Sequence, residues 1–156
     1  MTAAELIETL AGWGETLAVT ESVTGGLLAA TIVDVPGASR VFRGGLVVYA
    51  TDLKASLAGV PFELLAERGP VDPQVAAALA EGARAACRAD WGLATTGVAG
   101  PDPQDGVPVG TVYVAVVGPR GQARTVRLQL DGGRAGIRAA AVAAVLDLLT
   151  VVLSGR

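Results

Sequence analysis

The sequence predicts an α/β fold, a single-domain three-layer α/β/α sandwich on a mixed, mostly parallel sheet with one hairpin. Three observations carry that prediction. Short β-branched runs alternate with longer segments of helical periodicity, the pattern that lays helices on both faces of a sheet. Gly118-Pro119-Arg120-Gly121 joins two strand-like runs with no helix between them, which is a hairpin signal. The 156 residues, 51% apolar but only 4% aromatic, fit one domain over residues 1–156 with a core of Ala, Val and Leu.

Each element follows from local chemistry. Thr2-Ala3-Ala4-Glu5 reads as a capping box opening a short helix with Leu6, Ile7 and Leu10 on one face, closed by Gly12 and Gly14. Thr16 to Thr20 is a buried strand, and Thr24 to Asp34 a helix stopped by Val35-Pro36-Gly37. Gly45 to Ala50 forms the second strand, and Thr51 to Leu57 one or two helical turns. Pro61 starts a short helix ending near Gly69-Pro70. Asp72-Pro73 places an N-cap before a proline at the first helical position and opens a longer helix to about Asp90. Trp91 to Thr96 returns to strand. Gly97 to Gly110, rich in glycine, proline and aspartate, is a loop long enough to bind something. The hairpin strands are Thr111 to Val117 and Ala123 to Leu130. The last helix runs from Arg134 to Leu153, with Ile137, Ala141, Val145, Leu148 and Val152 on one stripe.

Composition closes off several functions. A net charge of −3 without a basic cluster argues against nucleic acid and against an anionic membrane. One cysteine, Cys87, permits no intrachain disulfide, and its helical setting reads as a packing thiol. Without histidine a transition-metal cage lacks its usual ligands, so neither metal nor cofactor is expected. Glu5 and Glu8 stand where a secretory signal would carry positive charge. The apolar tract Ala139 to Leu153 contains Asp147 and is short for a bilayer. A cytoplasmic protein is the expectation.

The same arithmetic restricts catalysis. Lys54 is the only lysine beside eleven arginines, and guanidinium stays protonated at any physiological pH. A hydrolytic mechanism needing a neutral nitrogen base therefore has Lys54 to use, provided burial lowers its pKa from near 10.4. Tyr49, five residues upstream, could relay a proton or orient a hydroxyl; it could also simply pack at the sheet edge. Ser22 lies between a strand end and a helix start, with Thr24, Gly25 and Gly26 just after it. Free backbone N–H groups there could hold a phosphate or an oxyanion, and the alternative is that Ser22 and Thr24 only cap the helix. Thr96 and Gly97 end a strand beside the long loop and could line the same crevice. Arg134 and Arg138, one helical turn apart, could clamp a phosphate or carboxylate, or could be a solvated helix start.

Taken in order, these segments resemble the C-terminal domain of the competence-damage-inducible CinA family, the nicotinamide-nucleotide amidohydrolases also called PncC. The family's E-S-C-T-G-G turn stands here as Glu21-Ser22-Val23-Thr24-Gly25-Gly26, and its Y-[SA]-N-x-x-K segment as Tyr49-Ala50-Thr51-Asp52-Leu53-Lys54. The G-[AP]-V-S segment corresponds to Gly69-Pro70-Val71-Asp72, the G-I-A-G-P loop to Gly97-Val98-Ala99-Gly100-Pro101, and the G-D-R helix start to Gly132-Gly133-Arg134. The resemblance implies hydrolysis of nicotinamide mononucleotide to nicotinate mononucleotide and ammonia in pyridine nucleotide salvage. Ser22 would be the nucleophile, Lys54 its base and Tyr49 the third member. Thr24, Gly25, Gly26, Thr96, Gly97 and Arg134 would contact this small-molecule partner, and Arg134 and the glycine turns would face the 5′-phosphate. Val23, Asp52, Asp72 and Gly133 depart from the motifs. A carboxylate at position 52 would raise the lysine pKa if the two pair, and Gly133 removes a carboxylate that could orient Arg134. The alternative is a noncatalytic nucleotide-binding or regulatory domain, and a Ser-Lys esterase or peptidase is a third reading. The alanine-rich helices leave room for a symmetric homodimer.

Overall fold

The computed structural model describes residues 1–155; Arg156, the last residue of the domain read from the sequence, lies outside the described residues. Strands β1 (Leu17–Glu21), β2 (Phe42–Val47), β3 (Trp91–Gly97), β4 (Thr111–Val117) and β5 (Ala123–Gln129) form one sheet in the order β2-β1-β3-β4-β5. β1 pairs in parallel with β2 and β3, whereas β4 runs antiparallel to both β3 and β5. Every strand but β4 thus points the same way, so the sheet is mostly parallel in direction, while its pairings divide evenly between parallel and antiparallel. The β4–β5 hairpin closes where the Gly118 N–H donates to the Gln122 carbonyl at 2.8 Å.

Helices cover both faces. α1 (Ala3–Trp13), α2 (Leu27–Val33) and α6 (Arg134–Ser154) pack on one; α3 (Thr51–Ser56), α4 (Phe62–Arg68) and α5 (Pro73–Cys87) lie on the other. Strand residues alternate between the two layers. Leu17, Val19, Leu93, Val112 and Val114 face α1, α2 and α6, and the small side chains of Ala94 and Ala115 face α5. The expected caps form: Thr2 and Glu5 exchange hydrogen bonds at the start of α1, and Asp72 accepts from the Gln74 and Val75 amides ahead of Pro73.

Three elements differ from the sequence reading by about three residues at a boundary, the others by about one. β2 lies earlier than Gly45 to Ala50, because Val48 and Tyr49 leave the sheet to turn their carbonyls toward Lys54. α2 begins at Leu27 rather than Thr24, because Gly25 and Gly26 adopt positive φ in a turn. α5 ends at Cys87, where Arg88 enters the left-handed region. α6 is also longer than the apolar tract within it. By length and composition alone its 21 residues could cross a membrane, yet Ile137, Ala141, Val145 and Leu149 are buried against the sheet and α2.

Candidate active site

The parallel strands β1, β2 and β3 end on the same edge of the sheet, and each delivers one part of a cleft there. This is where open α/β sheets place their ligands. β1 runs into Ser22, the segment after β2 carries Tyr49 and Lys54, and β3 ends in Thr96 and Gly97. α6 adds Arg134. The cleft holds about 130 Å³.

At its floor, the Lys54 Nζ lies 2.9 Å from the Ser22 Oγ, to which it donates. Both residues are buried; Lys54 is only 1% exposed. The same nitrogen donates to the carbonyls of Val48 at 2.8 Å and Tyr49 at 3.3 Å. Burial pushes the lysine pKa down to about 8. Asp52 sits exposed on the first turn of α3 and forms no ion pair with the amine, so the opposing effect expected of it does not arise. A neutral amine has two N–H donors and one lone pair. The two carbonyls take the donors, which leaves the lone pair for the serine hydroxyl.

The other expected residues are placed as follows. The Tyr49 ring is 62% exposed at the cleft rim, and its phenol oxygen accepts from Arg134 Nη2 at 3.1 Å. It is the backbone carbonyl of Tyr49, not the phenol, that meets Lys54. Arg134 also donates through Nη1 to the Gly100 carbonyl at 2.7 Å, so it is oriented without an aspartate at position 133. Thr96 lines the cleft, and its hydroxyl donates to the Pro70 carbonyl at 2.7 Å. Gly97 also lines it. Thr24, Gly25 and Gly26 do not: the Thr24 hydroxyl is buried between Glu21 Oε1 and Thr95 Oγ1 at 2.6 and 2.7 Å. Asp72 stands outside the cleft lining, capping α5 and pairing with Arg68 at 2.9 Å.

Two residues of the site escaped the sequence reading in their actual roles. Glu21 is fully buried. Its Oε1 accepts from the Gly26 and Leu28 amides at 3.2 and 2.8 Å and its Oε2 from Ala29 at 2.9 Å, so it supplies the anion that orphan helix amides require. The signal was an acidic residue between a buried strand and a glycine-opened helix. Arg138, whose spacing from Arg134 offered either a clamp for a phosphate or carboxylate or a solvated helix start, instead donates to the Val23 and Thr24 carbonyls at 3.1 and 2.8 Å. The turn's own amides are largely used. Ser22 donates to Thr95, Gly25 to Ser22 and Gly26 to Glu21, while among the described residues the Val23 and Thr24 amides have no internal acceptor.

Residues 1–153 match the family model described as the CinA C-terminal domain. A CinA-like protein of Frankia casuarinae is 54% identical over 140 residues, which is 90% of this chain and 32% of the relative. A CinA-like protein of Myxococcus xanthus is 45% identical over 94% of this chain and 35% of its own length. The chain thus spans about a third of the length of these curated relatives. The crystal structure of the competence/damage-inducible protein CihA from Agrobacterium tumefaciens superposes with a TM-score of 0.92 at 34% identity, covering 97% of this chain and 93% of that one. A CinA superfamily protein from Klebsiella pneumoniae gives a TM-score of 0.92 at 28% identity over the full length of both.

Proposed function

The chain belongs to the CinA C-terminal domain family, and on that premise we propose that it hydrolyses the carboxamide of nicotinamide mononucleotide to nicotinate mononucleotide and ammonia. The observation that carries this reading is the 2.9 Å contact between a buried lysine amine and the Ser22 hydroxyl, with no carboxylate among the described residues paired to that amine. Neutral Lys54 takes the hydroxyl proton as Ser22 Oγ attacks the carboxamide carbon. The Val23 amide, on the cleft lining and without an internal acceptor among the described residues, holds the developing oxyanion. The Lys54 ammonium then gives its proton to the departing nitrogen, ammonia leaves, and an acyl-enzyme forms on Ser22. Water, deprotonated by Lys54, attacks the ester and regenerates the hydroxyl. The pyridinium ring withdraws electrons from the reacting carbonyl, and its positive charge favours the neutral lysine. Arg134 and Tyr49, joined at the rim, would receive the ribose phosphate.

The test is ammonia release from purified protein given nicotinamide mononucleotide. Ser22→Ala and Lys54→Ala are expected to abolish turnover while keeping the fold, as followed by circular dichroism. Full activity in Lys54→Ala would remove the assigned base. Nucleotide binding without turnover in the unmodified protein would instead give the noncatalytic reading.

A further inference from the structure

Two charged side chains grip the turn bearing Ser22, and neither lines the cleft. Glu21 takes the Thr24 hydroxyl and the Gly26, Leu28 and Ala29 amides on its two oxygens. Arg138 reaches in from α6 and donates Nε to the Val23 carbonyl and Nη2 to the Thr24 carbonyl. A planar guanidinium fork suits two adjacent carbonyls, which a point charge cannot match with the same rigidity. Among the described residues Arg138 has no carboxylate partner, and its Nε and Nη2 both serve this turn. The guanidinium lies against the turn: a Cβ added at Gly25 would stand in ordinary contact with Arg138 Nη2, at 3.5 Å.

These bonds set directions as well as positions. In a planar trans peptide the carbonyl and the N–H point opposite ways. Holding the Val23 carbonyl toward α6 turns the Thr24 N–H away from α6. The Ser22 carbonyl, bonded to the Gly25 N–H at 3.1 Å, likewise fixes the direction of the Val23 N–H. The bonds to the Ser22, Val23 and Thr24 carbonyls thus fix the directions of the Val23, Thr24 and Gly25 amides, the first two of which have no internal acceptor among the described residues.

We infer that Arg138 is a positioning residue that holds the turn so that the Ser22 hydroxyl is aimed at the reacting carbon and the Val23 amide at its oxygen, resting on the reading of Ser22 as nucleophile. A residue that only stabilised the fold would lower the melting temperature and leave the reactivity of each folded molecule alone. Misaiming an otherwise intact nucleophile slows reaction by about 10-fold to 100-fold.

The experiment compares the unmodified protein, Arg138→Gln and Arg138→Lys. Covalent labelling of Ser22 by a small fluorophosphonate is followed by mass spectrometry from pH 6 to 10, beside ammonia release and thermal unfolding. Arg138→Gln is expected to fold, to label about 10-fold to 100-fold more slowly at every pH, and to keep its rate midpoint near pH 8, because the Lys54 contacts are untouched. Its kcat falls while KM stays within about twofold. Arg138→Lys recovers part of the rate, since an ammonium still donates to these carbonyls. Wild-type labelling rates in folded Arg138→Gln would overturn the inference. If that variant does not fold, Arg138→Lys decides: slower labelling with an unchanged midpoint supports the role, and an unchanged rate overturns it. An inert nicotinamide nucleotide with Ser22 labelled in the unmodified protein, and slowed in Arg138→Gln, would end the proposed substrate alone and support the positioning role. No Ser22 labelling at any pH would end both.

Discussion

Lys54 carries its amine where charge is costly, and that cost is a stability liability and, under the proposed reaction, the source of a neutral base. With a pKa of about 8, roughly a tenth of the molecules hold the neutral amine at pH 7. The pH profile of kcat/KM, which reports the free enzyme, is therefore expected to rise to a plateau through a limb near pH 8. The limb in kcat should lie lower, because a bound pyridinium cation disfavours the ammonium further. Tyr49→Phe leaves the backbone carbonyl at Lys54 in place and is expected to leave the kcat/KM limb where it was, while KM rises through the lost contact with Arg134. A limb displaced by a full pH unit in that variant would show the phenol acting on the lysine directly. Stability carries the same signature. The unfolded lysine titrates near 10.4 and the folded one near 8, so between these values the unfolded state binds more protons and stability rises with pH. Each unit is worth about 1.4 kcal/mol, so the window holds about 3 kcal/mol, absent below pH 8 and complete above 10.4. Lys54→Met is expected to lose this rise, read as the difference between the two proteins in urea unfolding at pH 7 and pH 10. The sequence made Lys54 and Ser22 conspicuous through the scarcity of other bases. It did not disclose that the two phases of Tyr49, carbonyl and phenol, serve different neighbours.

The element that matters most is the turn between β1 and α2, and its existence was legible from a buried strand followed by a serine and paired glycines. The filling of its hydrogen bonds was not, because the partners come from Thr95 and Arg138, far along the chain. Spacing alone put Arg138 with Arg134 in one clamp, since residues four apart share a helix face. In the fold the two diverge, one toward the rim and one toward the turn. Gly26 holds φ of +103°, which an L side chain rarely adopts. Gly26→Ala is accordingly expected to cost about 1–3 kcal/mol and to slow ammonia release, measured by denaturant unfolding and steady-state kinetics on the same samples. Glu21→Gln tests the other grip. The amide retains the shape but replaces one of two acceptor oxygens with a donor, facing amides that also donate. A loss of about 1–3 kcal/mol is expected, with thermal unfolding as the measure. An unchanged melting temperature would mean that water can replace the missing acceptor.

At the scale of the molecule, the layered architecture was readable because strand and helix periods alternate cleanly, and the hairpin because its turn residues have no other common use. How closely the layers approach was not readable, since that depends on which small residues meet across them. α5 lies so near the sheet that a Cβ added at Gly92 of β3 would stand 2.0 Å from the Ala80 carbonyl oxygen. That atom is helix backbone and cannot rotate away. Gly92→Ala must therefore push α5 off β3, and overpacking of this kind costs about 1–3 kcal/mol or more. The displacement bears on catalysis through the same strand. β3 carries Thr95, whose carbonyl receives the Ser22 N–H and whose hydroxyl meets Thr24, and it ends in Thr96 and Gly97 at the cleft. Gly92→Ala is thus expected to lower the unfolding midpoint in urea and also to reduce Ser22 reactivity in the fraction still folded, because the strand that braces the nucleophile shifts with the layer. A destabilised protein whose folded fraction reacts at the normal rate would show instead that the strain is absorbed in α5, leaving the end of β3 in register with Ser22.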